Sequence, residues 1–265
     1  MSVAFPPSLS AQNLTLGYDQ KEIAKHLSVD IPEGKFSVIV GPNACGKSTL
    51  LRALSRLLLP SQGQVMLYGE DIHALPTKEV AKRLGLLPQT ATAPAGIRVA
   101  DLVARGRYPY QKWFQPWQEK DQQAVDYALK VTDTLQFADQ AVDQLSGGQR
   151  QRVWVALALA QETPLLLLDE PTTYLDIAHQ IELLDLFQDL NRSKGHTLVA
   201  VLHDLNHACR YADHLIAMKS GQVIATGSPQ DIVTAELVEQ VFGLASVIIN
   251  DPISNTPLII PKGRY

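Results

Sequence analysis

Residues 41–48 read Gly-Pro-Asn-Ala-Cys-Gly-Lys-Ser, set between a β-rich apolar run at 35–40 and a helix-period run at 48–58. A strand that turns through a glycine loop directly into a helix is the opening of a phosphate-binding βα unit. It points to an α/β fold built on a parallel sheet with helical crossovers. The loop also carries its own chemistry. Glycine lets the backbone approach a phosphate, and successive N–H groups at a helix N-terminus attract the anion. Lys47 is then placed to reach the β- and γ-phosphates as a point charge, and the Ser48 hydroxyl to ligate Mg2+. Gly41, Pro42, Asn43, Ala44, Cys45, Gly46 and Thr49 complete the expected cradle.

The remaining chain keeps to the same alternation. Residues 9–18 and 24–31 read as short strands, 60–63 break the first helix, and 64–68 read as another strand. From about 80 to 145 the pattern is mostly helical, with pieces at 99–105, 119–134 and 134–138. This is read as a helical insertion, approximately residues 90–160, within one domain spanning 1–265. A helix follows residue 148 and runs through 161, then a buried strand at 165–168 and a long helix at 177–194. A second buried strand at 197–202, a helix at 205–211 and a hairpin of 215–218 with 222–226 come after it.

Composition narrows the class. With 265 residues, 46% hydrophobic and 19% charged, the chain can bury a sizeable core. A net charge of −4 supplies no bulk attraction for nucleic acid, so no nucleic-acid partner is expected. Cys45 and Cys209 stand in no metal-ligand spacing, which suits a reducing compartment. The first ten residues lack the charged and apolar regions of a secretion signal. No apolar run approaches the roughly 18–20 residues that span a bilayer, so any membrane role comes through a partner.

Two further motifs add chemistry. The run 165–168 ends in Asp169-Glu170, and a buried strand of this kind delivers both carboxylates at the carboxyl edge of the sheet. Asp169 would hold Mg2+ and Glu170 would act as general base on the attacking water. Upstream, residues 145–149 read Leu-Ser-Gly-Gly-Gln just before a helix. Ser146 makes a natural helix cap, and the amides of Gly147 and Gly148 form a second anion site.

The combination of 41–48, 145–149 and 165–170 resembles the ATP-binding cassette (ABC) ATPases, and the likeness covers essentially the whole chain. The family implies a P-loop core of RecA type, with an antiparallel β subdomain and a helical subdomain. It implies ATP and Mg2+, and an active site shared by two copies in which Ser146, Gly147, Gly148 and Gln149 cap the γ-phosphate held by the other copy. Gln89 matches the Q-loop glutamine that contacts Mg2+, His203 the switch histidine, Tyr18 the aromatic that stacks on adenine, and Asp176 the D-loop aspartate beside Tyr174 and Leu175. One departure is Ala44, where the family has glycine; alanine tolerates positive φ poorly, so the position is expected to be right-handed or the loop slightly shifted, with ATP binding retained.

Within the family the chain looks most like ATPases of iron–siderophore and cobalamin importers, through residues 104–109, 175–180 and 201–206. Cys45, Gln161-Glu162, Asp251-Pro252 and the triplet 256–258 bring it nearest the ferric enterobactin importers. The resemblance implies an ATPase on the cytoplasmic face of the bacterial inner membrane. Its partners would be permease subunits and, indirectly, a periplasmic siderophore-binding protein.

Cobalamin or haem import is the neighbouring reading. A soluble repair or translation role is disfavoured because the chain has neither a long coiled-coil insertion nor zinc-binding cysteines, and only one cassette. Five of the 17 aromatic residues, Tyr108, Tyr110, Trp113, Phe114 and Trp117, fall within ten positions. They read either as packing of the helical insertion or as a docking patch for a permease.

Overall fold

The computed structural model describes residues 7–19, 21–111, 116–173 and 175–263, and it divides into two compact units. One comprises Met1–Ala74 with Thr197–Tyr265, the other Leu75–His196. Trp113, Phe114 and Tyr174 lie outside the described residues.

The first unit opens with β1 (Leu9–Tyr18), β2 (Lys21–Ile31), β3 (Phe36–Val40), α1 (Lys47–Leu54), β4 (Gln62–Leu67) and β5 (Glu70–Asp71). The second unit holds α2 (Thr77–Arg83), β6 (Leu84–Leu87), α3 (Val99–Ala104), α4 (Glu119–Val131), α5 (Gly147–Ala160), β7 (Leu165–Asp169) and α6 (Ile177–Lys194). The chain then returns to the first unit with β8 (Thr197–Val201), α7 (Leu205–Tyr211), β9 (His214–Lys219), β10 (Gln222–Gly227), α8 (Pro229–Ile232), α9 (Ala235–Phe242), β11 (Ser246–Asn250) and β12 (Pro257–Pro261).

In the first unit, β2-β1-β4-β5 form an antiparallel sheet. A second sheet runs β10-β9-β3-β8, with β3 parallel to both β8 and β9. Every residue of β3 and β8 is buried, so these strands are covered on both faces and read as unbroken apolar runs. Their parallel register, Phe36 opposite Leu198 and Ile39 opposite Val201, brings the loop after β3 and the residues after β8 to the same sheet edge. Helix α1 stops at Leu54, short of the expected 58. Arg56 turns left-handed at φ 65°, and the N–H groups of Leu57 and Leu58 both fold back to the Arg52 carbonyl.

In the second unit, β6 and β7 pair in parallel, Leu84 opposite Leu165 and Leu87 opposite Leu168. Strand β6 lies inside the stretch read as mostly helical. Its Leu-Gly-Leu-Leu is too short for periodicity to separate strand from helix. Gly85 reflects the close packing, since a β-carbon there would lie 2.7 Å from Thr163 Oγ1. Helices α3, α4 and α5 enclose a core that includes Val99, Leu102, Val125, Leu129, Val153 and Ala156. Helix α4 ends at Val131, before the expected 134, because the Thr132 hydroxyl donates back to the Ala128 carbonyl at 2.8 Å and Asp133 turns left-handed. The stretch 134–138 contributes only the short 3-10 turn Leu135–Phe137.

A buried cation ties this unit together. Arg107 sits in the 3-10 helix Arg105–Tyr110 and is only 2% exposed. Its guanidinium donates to Asp121 Oδ1 at 3.0 Å, to the Ala160 carbonyl at 2.7 Å and to Glu162 Oε2 at 2.8 Å. It also stacks 4.2 Å from the Tyr110 ring centroid. The planar fork reaches three acceptors, one on α4 and two at the end of α5, while its face stacks on Tyr110, a combination the compact lysine ammonium cannot match. Arg107→Met should therefore strand the buried Asp121 carboxylate and cost about 3–5 kcal/mol. Glu162→Ala, at a side chain 58% exposed, should cost no more than about 1 kcal/mol. Chemical denaturation of the two variants checks the contrast.

Candidate functional site

The phosphate loop is shaped by close backbone contacts. Gly41 faces the Met218 carbonyl, and a β-carbon there would lie 2.2 Å from that oxygen and 2.8 Å from Cys45 Sγ. Behind the loop, the Gly221 N–H donates to the Cys45 carbonyl at 2.9 Å. Gly221, in the β9–β10 turn, is itself pressed against the Ile23 carbonyl, 2.0 Å from where its β-carbon would fall. Burial raises the Cys45 thiol pKa against the opposing pull of Lys47, so this cysteine is a packing residue and stays protonated.

Lys47 opens α1 and is buried, its ammonium donating to the Gly41 carbonyl at 2.8 Å and the Pro42 carbonyl at 2.9 Å. The charge is thus held inside the loop by two neutral acceptors that anionic oxygens can outcompete. Ala44 is neither right-handed nor relieved by a shift; it takes φ 60° in the left-handed region. The reason is that the turn between Pro42 and Gly46 demands this conformation whatever the side chain. A non-glycine residue there costs about 1–2 kcal/mol. Tyr18, 42% exposed at the end of β1, receives a hydrogen bond from Arg52 Nη1 at 3.2 Å, which orients the ring. His203 is exposed two residues beyond β8, on the sheet edge that also carries the phosphate loop.

In the second unit, Asp169 is buried at the end of β7 and Glu170 follows in a left-handed conformation, φ 52°. Gln89 lies just beyond β6, and its Nε2 donates to Glu170 Oε2 at 2.7 Å; the Thr173 hydroxyl donates to the same oxygen at 3.3 Å. Strain at a carboxylate held by two donors is the kind of outlier that marks a working position.

The residues of 145–149 belong to a different place. Ser146 caps α5, accepting from the Gln149 N–H at 3.3 Å, while Gln149 Oε1 accepts from the Ser146 N–H at 2.9 Å. Ser146, Gly148, Gln149 and Asp176 line one cavity of about 320 Å3, with Arg152 and His179 on its wall. Asp176 caps α6; the His179 N–H first, and then the His179 ring, hold its carboxyl below the usual range. Sequence reasoning had missed Arg152 and His179. Both lie one helical turn or so beyond the motif residues, a spacing that signals a shared face only once the helices are known.

Phosphate loop and paired carboxylates, each at the carboxyl end of its strand, define a P-loop nucleotide hydrolase. A family model described as ABC transporter matches residues 24–173, more than half of the chain. The chain belongs to the ABC transporter family. The ferric enterobactin transport ATP-binding protein FepC of Escherichia coli (strain K12) is 58% identical over 256 residues, covering 97% of this chain and 94% of its own. Among solved structures, an inward-facing metal-chelate type ABC transporter matches with a TM-score of 0.82 at 30% identity, over 97% of this chain and 98% of that one. The dimeric post-hydrolysis cassette MJ0796, bound to ADP and Pi, matches with a TM-score of 0.74 at 29% identity, over 83% of this chain and 98% of that one.

The strain at Ala44 is open to test. Its side chain is exposed, so Ala44→Gly loses no packing. Relief of the left-handed strain, less the added entropy of the unfolded chain, should stabilise by roughly 0.5–1 kcal/mol. Urea denaturation of the variant, with ATP affinity measured in parallel and expected unchanged, checks it.

Proposed function

We propose that this chain is the ATP-hydrolysing subunit of an importer for a ferric siderophore of the catecholate, enterobactin-like type. It would work as a pair of copies on the cytoplasmic face of the inner membrane, against permease subunits fed by a periplasmic binding protein. The observation that carries the paired reading is the cavity around Ser146 and Gly148. Its lining residues all fall between 133 and 179 and include Ser146, Gly148 with its anion-binding amide, and Arg152, but no residue of the phosphate loop. Such a site makes sense as the cap over phosphates bound by a second copy, as in the dimeric cassette. The cargo reading is supported by the 58% identity with the ferric enterobactin protein.

In this mechanism, arriving phosphate oxygens displace the Gly41 and Pro42 carbonyls from Lys47, exchanging neutral acceptors for charged ones. The N–H groups of 43–49 wrap the β- and γ-phosphates, and Tyr18 stacks on the base. Ser48, Gln89 and Asp169 supply hard oxygen donors that suit Mg2+, which takes few protein ligands and shares its shell with phosphates and water. Bound there, Mg2+ would neutralise charge on the phosphate oxygens. Gln89 releases Glu170, which then orients a water and accepts its proton, while His203 donates to the γ-phosphate as charge develops. Ser146, Gly147, Gly148, Gln149 and Asp176 of the second copy close over the phosphates. ATP favours this closed pair only through the contacts unique to it, and hydrolysis removes them.

Coupling to the membrane partner is assigned to the turn Arg105–Tyr110. Tyr108 is 65% exposed and Trp117 42%, and with Asp101, Arg105 and Gln111 they line a groove of about 560 Å3. Among the described residues no helix is long and apolar enough to cross a membrane; exposed aromatic rings rimmed by Asp101, Arg105 and Gln111 have the mixed aromatic and polar makeup of a protein interface. Replacing Tyr108 and Trp117 by Ala should abolish co-purification with the permease while leaving thermal stability unchanged. Retained co-purification would reject the groove as the docking site.

Glu170→Gln should bind ATP with parent affinity, lose at least 100-fold in turnover and accumulate as an ATP-dependent dimer by size-exclusion chromatography. Lys47→Ala should instead lose nucleotide binding. The cargo is tested by ATPase stimulation in the reconstituted transporter. Ferric enterobactin with its binding protein should stimulate, and cobalamin or haem should not.

A further inference from the structure

The C-terminal hairpin β11–β12 has a specific attachment. The side-chain amide of Asn206, in the first turn of α7, closes on both backbone groups of Ile259: its Nδ2 donates to the carbonyl at 3.3 Å, and its Oδ1 accepts from the N–H at 2.8 Å. At the other end of α7, Arg210 Nη2 donates to Asp251 Oδ2 at 2.7 Å. Asp251 heads the turn of the hairpin, its Oδ1 accepting from the N–H groups of Ile253 at 2.8 Å and Ser254 at 3.3 Å. The Ile253 amide first, and then Arg210 and the Ser254 amide, bring its pKa down to about 2, so the ion pair persists throughout the neutral range.

Helix α7 has seven residues and cannot hold itself as an isolated helix. Its first residue, Leu205, follows His203 and the capping residue Asp204, which accepts from the His207 N–H at 2.9 Å. On the other side, the Leu202 N–H is tied to the Ile39 carbonyl at 3.3 Å. His203 therefore lies between two fixed points: the sheet at Leu202 and a helix whose two ends are pinned to the hairpin. Asp251, Asn206 and Ile259 take no part in the nucleotide site, and nothing in the proposed chemistry explains why a helix this short is held by an amide and an ion pair at once.

We propose that the β11–β12 hairpin is a brace for His203: through Asn206, Arg210 and Asp251 it fixes α7, and with it the position from which His203 meets the γ-phosphate. These three are positioning residues, and the inference rests on the reading of His203 given above. A brace acts on the transition state more than on ground-state binding, because the phosphate loop still holds ATP when His203 is displaced.

The test compares steady-state hydrolysis by the full-length parent with that of N206A, R210A, R210K, H203A and H203A/N206A, with melting temperatures recorded for each. N206A and R210A should lower kcat at least fivefold with KM for ATP within twofold of the parent. R210K should restore most of the rate lost in R210A, and N206A should have no further effect when added to H203A. An H203A protein with parent turnover would remove the reading of His203 itself. An inactive H203A beside an N206A that turns over like the parent would overturn the brace. So would parallel losses in kcat, ATP affinity and melting temperature, which mark general loosening of the fold.

Discussion

The nucleotide end of the first unit depends on two backbone approaches that a β-carbon would forbid. Gly41 lies against the Met218 carbonyl and Gly221 against the Ile23 carbonyl, with 2.2 Å and 2.0 Å left for any added atom. Through them the end of β3, the β9–β10 turn and β2 come into direct contact, and the Gly221 N–H can hold the Cys45 carbonyl. The loop is thereby folded by the sheet before it meets a ligand. With the loop held in place this way, less ordering entropy opposes phosphate binding.

At Glu170 a left-handed backbone coincides with a side chain held by Gln89. Ala44 and Glu170 are both left-handed without being glycine. Lys47 is spent on two loop carbonyls and Glu170 on Gln89. Each of these hydrogen bonds must be exchanged for the proposed chemistry to proceed, and at Lys47 the exchange favours the ligand because charged oxygens replace neutral carbonyls. In the proposed role of base, Glu170 restrained by Gln89 would also be kept from a stray water. That suits an ATPase whose turnover must wait for a partner.

Much of this was legible in the residues. The long helix at 177–194, the helix at 205–211 and the strand at 9–18 carry periodicity over enough turns or pairs to be read directly, and their bounds agree with α6, α7 and β1. The phosphate loop and the carboxylate pair were legible because each requires particular residues at fixed offsets. What escaped was decided by tertiary contact. Strand β6 is four residues long and carries a glycine that only its packing against Thr163 explains. The hairpin β11–β12 has apolar residues but no turn signal of the two-residue type, and its six-residue connection is organised by Asp251. Ala44 shows the converse: a residue type that argues against positive φ yields to a loop whose neighbours leave no alternative.

Helix α5 gives the second unit its mechanical logic. It begins at the Ser146 cap beside the cavity and runs 14 residues, about 21 Å, to the Ala160 carbonyl held by Arg107. Just past its end, Gln161 Nε2 donates to the carbonyls of Ala81 at 2.5 Å and Leu84 at 3.3 Å, fixing the start of β6, the strand that leads to Gln89. Gly106 seats the turn Arg105–Tyr110 directly on the last turn of α5, since a β-carbon would lie 2.5 Å from the Leu157 carbonyl. Anion-binding loop, exposed aromatic turn and Q-loop strand are therefore attached to one rod. A packed helix with its far end locked by a buried guanidinium is a stiff link, so in the proposed dimer a pull on Ser146 would reach Tyr108 and β6 together. Coupling needs a rigid connection of this kind between the place where ATP would be sensed and the place where a permease would be touched.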